Sequence, residues 1–206
     1  MKSVLVAIGF IIYSISFAQS YSKDEKEYIT SGNTETALAI FNVKNSSENS
    51  ILLRSSKNAP AKNKFTKILV ERMKLALLST DGGVGIAAPQ VGINRNIIWV
   101  QRFDKRDFPL EYFINPRITW KSDLLQKGPE GDLSIDDFRE QFYRSYSIAL
   151  EYEDLFGKKH LEHVEGFTAV IFQHEIDHLS GVLITDKFEK EIQNKFKEIT
   201  TYTSQR

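Results

Sequence analysis

Cysteine is absent from this chain of 206 residues. Its absence excludes disulfides, thiolate metal ligands and lipid attachment at a cysteine. An excess charge of either sign is missing too: 27 Lys and Arg balance 27 Asp and Glu, for a formal net charge of zero. That balance gives no electrostatic drive toward nucleic acid or an anionic membrane surface. The longest apolar run, Val4 to Phe17, is short for a permanent helix across a ~30 Å hydrocarbon core. There is no internal repeat, no low-complexity tract and no sign of a second domain. At 41% hydrophobic and 26% charged residues, the composition is that of one globular domain with a sizeable core.

The first 18 residues have their own pattern. Lys2 is followed by the apolar run, and Ser16 and Ala18 put small residues where a signal peptidase reads. The expectation is a cleavable export signal over 1–18, cut after Ala18, with an uncleaved anchor as the alternative. The protein would then be periplasmic or secreted, with no stable membrane insertion once the signal is removed. Residues 19–50 are rich in Ser, Asn, Lys and Glu and are expected to form a polar, loosely attached extension. Thr36–Val43 has the composition of a strand within it.

Residues 51–206 are expected to form the folded domain. Phe65, Ile68, Leu69, Met73, Leu77 and Leu78 recur at helical spacing, which predicts an amphipathic helix over Asn63–Ser79 that Asp81-Gly82-Gly83 ends. Asn96–Val100 and Tyr112–Ile114 read as short strands, punctuated by Asn115-Pro116. Ser147–Tyr152 and His160–Val164 read as a hairpin, Gly166–Leu179 as a helix, and Lys187–Thr200 as a charged amphipathic helix.

The Gly166–Leu179 helix carries Gln173-His174-Glu175-Ile176-Asp177-His178. Histidines four apart lie one turn apart on one helical face and can clamp a divalent cation. Glu175 stands beside them, placed to handle the proton of a water. The competing reading is a surface helix that merely carries two histidines. Two more segments tip the balance: Gly83-Val84-Gly85-Ile86-Ala87-Ala88-Pro89-Gln90 and Glu130-Gly131-Asp132-Leu133-Ser134.

Taken in order, the three motifs resemble those of the peptide deformylase family: G-x-G-x-A-A-x-Q, E-G-C-L-S and Q-H-E-x-D-H-x-x-G. Leu53-Arg54 and Ile114-Asn115-Pro116 extend the likeness, which spans roughly Ile51 to Phe188. The resemblance implies an α+β fold, with antiparallel strands around a central metal-binding helix, acting as a monomer. His174 and His178 would be two ligands of a single divalent ion, Fe2+ or Zn2+, and Glu175 the general acid/base. The Gln90 side-chain amide and the Leu133 backbone N–H would be donors to the substrate carbonyl oxygen. Gly83 and Gly85 would let the backbone approach the substrate, and Glu130 with Arg139 would brace the ligand loop. For the last two residues the competing reading is an ordinary exposed ion pair.

The third ligand of that family is the motif cysteine, and here the position is Asp132. A second departure is Asp136, where the family usually has proline. A carboxylate can complete a catalytic two-histidine set, with a harder donor than sulfur. The alternative is decay of the site. The implied activity is removal of the formyl group from an N-formylated peptide or protein N-terminus. A non-catalytic metal- or peptide-binding module, or another metal-dependent amidase, are the competing functions.

Overall fold

Two helices open the described chain, α1 (Lys23–Ile29) and α2 (Ser46–Leu52). The computed structural model describes residues 20–188, so the export signal and most of the expected Lys187–Thr200 helix lie outside the described residues. The third helix, α3 (Lys64–Leu78), follows the predicted span: Asn63 caps it by accepting from the Phe65 amide, and Ser79 closes it. Its buried stripe holds Leu69, Val70, Met73, Ala76 and Leu77. Burial of each large apolar side chain there contributes roughly 1.5–3 kcal/mol.

Seven strands follow. They are β1 (Gly85–Ala87), β2 (Ile97–Gln101), β3 (Leu110–Lys121), β4 (Leu125–Asp132), β5 (Ile135–Ser145), β6 (Ser147–Glu153) and β7 (Lys159–Glu165). Five form an antiparallel sheet in the order β1-β2-β3-β6-β7, while β4 and β5 pair as a separate ribbon. A single 3-10 turn, Ala88–Val91, separates β1 from β2, and the last described long helix is α4 (Gly166–Leu179). None of the described helices is long and apolar enough to cross a membrane.

Strand periodicity builds two cores on one sheet. Ile97, Trp99 and Ile114 face the α3 side, whereas Ile98, Val100 and Phe113 face α4, where Ala169, Ile171 and Phe172 cover them. The rings of Phe113 and Phe172 meet edge to face at 4.7 Å. The α4 helix is held from the ribbon side by Gln173, whose side chain accepts from the Ser145 amide at 3.1 Å and donates to its carbonyl at 2.9 Å. The helix therefore lies between sheet and ribbon, an α+β arrangement with the histidine-bearing helix at its centre.

Three sequence readings are corrected. Thr36–Val43 is no strand: Phe41 N–H donates to the Gln90 carbonyl and Val43 N–H to the Ser134 carbonyl, two separate elements that together make no ladder. The polar segment before residue 50 is not loosely attached either. Tyr21, Ile29 and Leu38 are buried in the α3-side core, and Arg95 grips Glu25 through two 2.7 Å bonds. Buried Arg72 donates to the carbonyls of Ile29, Ser31 and Thr36. A few widely spaced apolar residues and two buried arginines do the docking, which composition alone does not reveal. Asn115-Pro116, read as an interruption, lies inside β3 as a register shift: Asn115 takes φ 52° and its side chain bonds both the N–H and the C=O of Ala59.

Candidate active site

The β4–β5 ribbon and α4 bring the second and third motifs together. Asp132 ends β4, and the ribbon turns through Leu133-Ser134. Ser134 N–H donates to Asp132 Oδ1 at 2.8 Å, and Gln90 Nε2 donates to the same oxygen at 3.2 Å. The other oxygen, Asp132 Oδ2, is buried without a hydrogen-bond partner and lies 3.4 Å from His178 Nε2. His178 Nε2 is in turn 3.2 Å from His174 Nε2. One ligand atom from each of Asp132, His174 and His178 lies within 4.8 Å of the other two.

The two histidines differ in their electrostatics. Burial pulls His178 down to about 4, so its imidazole is neutral at ordinary pH and the 3.4 Å approach to Asp132 is no ion pair. A neutral imidazole is the form that binds metal. For His174, burial works against the charged form, but the Glu130 hydrogen bond and the Glu175 and Asp132 charges outweigh it and raise the pKa. Glu130 Oε2 engages His174 Nδ1 at 2.9 Å, which directs Nε2 toward Asp132 and His178. An unpartnered carboxylate oxygen is costly inside a protein. A divalent ion held by Asp132, His174 and His178 would satisfy it.

The brace behind His174 differs from the sequence reading. Glu130 pairs with Arg144, not with Arg139, through two parallel bonds of 2.7 Å, and Arg144 also grips Asp177. The reason is strand parity. Glu130 registers with Glu140, so residues 140 and 144 share its face, whereas Arg139 registers with Gly131 on the other face. Arg139 is exposed and lines the cavity mouth instead. The ribbon pairing would have identified Arg144, but Gly128, Pro129 and Gly131 hide β4 from any propensity argument.

Burial alone would raise the Glu130 pKa, but the His174 and Arg144 hydrogen bonds and the Arg144 charge bring it to about 2. A carboxyl lowered from its ordinary 4.5 stabilises the fold above that value, and the contribution is lost as pH falls toward 2. At ~1.4 kcal/mol per unit, about 3 kcal/mol is at stake. Urea unfolding of the metal-free protein at pH 5 and pH 3 should show a loss of stability that is smaller in Glu130→Gln, the remainder coming from other lowered carboxyls such as Asp177, Asp104 and Glu162.

Glu175 is buried, with Oε2 lacking a partner. Burial first, and the Asp132 and Glu130 charges after it, push its carboxyl up to about 8 against the pull of His174 and Arg144. It packs on Gly85: a Cβ there would stand 2.3 Å from Glu175 Oε1 and 2.8 Å from Ile171 Cγ2. At Gly83 a Cβ would meet Thr80 and Leu77. Both glycines line the cavity, yet the space they leave open is taken by protein atoms. Gly85→Ala should displace the Glu175 carboxyl and lower kcat at least tenfold with bound metal retained, read as turnover beside metal content.

Gln90 is buried, with Oε1 accepting from the Ala87 amide and Nε2 bridging Asp132 and Ser134. Gln90, Leu133, His174 and Glu175 line a cavity of about 660 Å³, with Val84, Val170, Ile171 and Phe167 as its apolar part. Asp132 lies at its floor. Asp136 stands at the rim, where Asn42 and Lys44 bond it at 3.0 and 2.8 Å and tie the amino-terminal segment to the ligand turn. Arg144 and Lys44 are site-supporting residues outside the sequence motifs, whereas Gln173 and Ser134 stood within the motifs without an assigned role.

The family model described as polypeptide deformylase matches residues 40–194. A peptide deformylase of Caulobacter sp. (strain K31) is 34% identical over 152 residues, covering 73% of this chain and 87% of that protein. The structure of a peptide deformylase from Thermotoga maritima superposes with a TM-score of 0.65 at 31% identity, covering 73% of this chain and 96% of the other. A class I type b peptide deformylase from Acinetobacter baumannii with Met-Ala-Ser bound gives a TM-score of 0.65 at 29% identity, covering 74% and 98%.

Proposed function

This chain belongs to the peptide deformylase family and is an enzyme of that type, and we propose that it removes the formyl group from formylmethionyl peptides outside the cytoplasm. The observation that carries this reading is the buried, unpartnered Asp132 Oδ2 facing the two histidine Nε2 atoms, with Glu175 beside them. Asp132, His174 and His178 would hold one divalent ion. When bound, that ion supplies a Lewis acid for a carbonyl oxygen and lowers the pKa of water.

The chain's own residues do the rest. Glu175 acts as the carboxylate, taking a proton from the attacking water and returning it to the leaving amine as formate departs; burial, which raises its affinity for that proton, makes it the stronger base. Gln90 Nε2 exchanges its long 3.2 Å contacts for the formyl oxygen as negative charge develops there, and the Leu133 N–H is the second donor. Val84, Val170 and Ile171 offer an apolar wall to the methionyl side chain. The donor set of two nitrogens and one oxygen suits Fe2+ or Zn2+.

Action outside the cytoplasm rests on the Lys2, Val4–Phe17 and Ala18 pattern. A ligand set without an oxidisable thiolate suits an oxidising setting. Amino-terminal sequencing of protein from the extracytoplasmic fraction should begin near Gln19, whereas an intact Met1 on cytoplasmic protein contradicts export. The activity is tested by formate release from a formyl-Met peptide, with the unformylated peptide as control. Cleavage of the unformylated peptide without formate release would point to a different amidase.

A further inference from the structure

Beside the cavity the loop from Arg102 to Pro109, between β2 and β3, presents two phenylalanines to solvent. Phe103 is 37% exposed and Phe108 54% exposed. Phe103 meets Phe108 at a ring-centroid distance of 5.6 Å and Phe167 at 5.3 Å. Phe167, itself 49% exposed, lines the cavity. The three rings thus continue the cavity wall outward as one aromatic surface.

The backbone that presents them is strained. Asp107 and Phe108 are consecutive residues with φ of 62° and 46°. For a bulky side chain such as Phe, positive φ is unfavourable, and it persists only where surroundings enforce it. Here they do. Arg102 is buried and bonds Asp104, Glu111 and Glu162 at 2.7 to 3.0 Å. Its own N–H donates to the Pro109 carbonyl at 2.8 Å, closing the loop, and Gln101 donates from its side chain to the Phe108 carbonyl. Asp104 N–H donates to Thr168 Oγ1 at 3.2 Å, fixing the loop to the start of α4, and Gln101 N–H donates to the Val84 carbonyl on the cavity edge at 2.8 Å. The loop is tied to Val84 and to the start of α4, and it leaves the Phe108 ring half exposed.

We propose that Phe103, Phe108 and Phe167 form a shelf that receives an apolar, preferably aromatic, side chain of the substrate peptide downstream of its methionyl residue. The occupant follows from continuity: Phe167 lines the cavity and touches Phe103, so a peptide whose first side chain fills the cavity and whose chain leaves on that side meets Phe103 and Phe108 next. Aromatic faces and edges reward an aromatic partner beyond simple burial. The shelf rests on the reading of the cavity as a formyl-peptide site, and its test separates the two.

Affinity of the metal-loaded protein for the peptides Met-Ala-Ser and Met-Ala-Phe is measured by calorimetry, beside formate release from their formylated forms. Met-Ala-Phe should bind about tenfold tighter, a difference of about 1.4 kcal/mol, and its formylated form should show a similar gain in kcat/KM. Phe108→Asn removes the ring with a residue that accepts positive φ. It should bring the Met-Ala-Phe affinity down to that of Met-Ala-Ser, and Phe103→Ala should do the same. Formate release with equal affinities in the wild type, or a preference that survives Phe108→Asn, overturns the shelf alone. Absence of both formate release and peptide binding defeats the functional reading, and the shelf with it. Vesicle binding that Phe108→Asn abolishes, with equal peptide affinities, would assign the rings to a lipid surface and overturn the proposal.

Discussion

Glu175→Gln is expected to lower formate release by about 10²–10⁴-fold, the usual contribution of a positioned acid/base, while metal content and fold persist. The substitution keeps shape and volume and removes only the titrating oxygen. Glu175 lies outside the ligand set, against Gly85, so its loss leaves Asp132, His174 and His178 in place. Because the carboxyl is pushed up to about 8 by burial, the amide also removes a group that would otherwise need a proton or a cation nearby. Glu175→Gln should therefore be at least as stable as the wild type when both are metal-free at pH 9, where the wild-type carboxyl must charge. Thermal unfolding checks the stability, and turnover with metal content on the same preparation checks the role. Full activity in Glu175→Gln would mean that the water loses its proton elsewhere.

Asp132→Ala is expected to abolish stoichiometric metal binding and, with it, activity. Three protein ligands are the usual minimum of a catalytic site of this type, and the alanine leaves only the histidine pair. The substitution also strands Ser134 N–H and removes one of the two bonds of Gln90 Nε2, so the ligand turn loosens as well. His174→Ala and His178→Ala should likewise lose most bound metal. Asp132→Cys separates charge and coordination from the turn geometry, because a thiolate ligates without reproducing Oδ1. It should bind metal with altered preference, since sulfur is a softer donor. Equilibrium dialysis against a chelator reads all four variants. Wild-type affinity in Asp132→Ala would remove Asp132 from the ligand set.

The helical part of the fold was legible because its signals are local. Asn63–Ser79 and Gly166–Leu179 carry apolar residues at helical spacing and turn residues at their ends, and both helices stand where that pattern sets them. The Ser147–Glu153 and Lys159–Glu165 hairpin was legible for the same reason. The β4–β5 ribbon was not: its Gly and Pro residues carry no strand propensity, and pairing is a long-range property. That omission produced the mistaken Glu130–Arg139 pair, since parity across a ribbon has no meaning until the ribbon is known. The amino-terminal segment was misread because its attachment runs through buried arginines bonded to carbonyls, a pattern invisible to hydropathy. The juxtaposition of Asp132 with the two histidines was expected from motif order alone. Its one free and one tethered carboxylate oxygen could come only from three-dimensional structure.

The most direct test of the account is a titration of metal-free protein with Fe2+ under anaerobic conditions, and separately with Zn2+, reading formate released from a formyl-Met peptide. Activity should rise with added ion and saturate at one ion per chain, and Asp132→Ala should stay flat throughout. A wild-type protein that binds one ion per chain and still releases no formate would contradict the account and leave a metal-binding module on a deformylase scaffold.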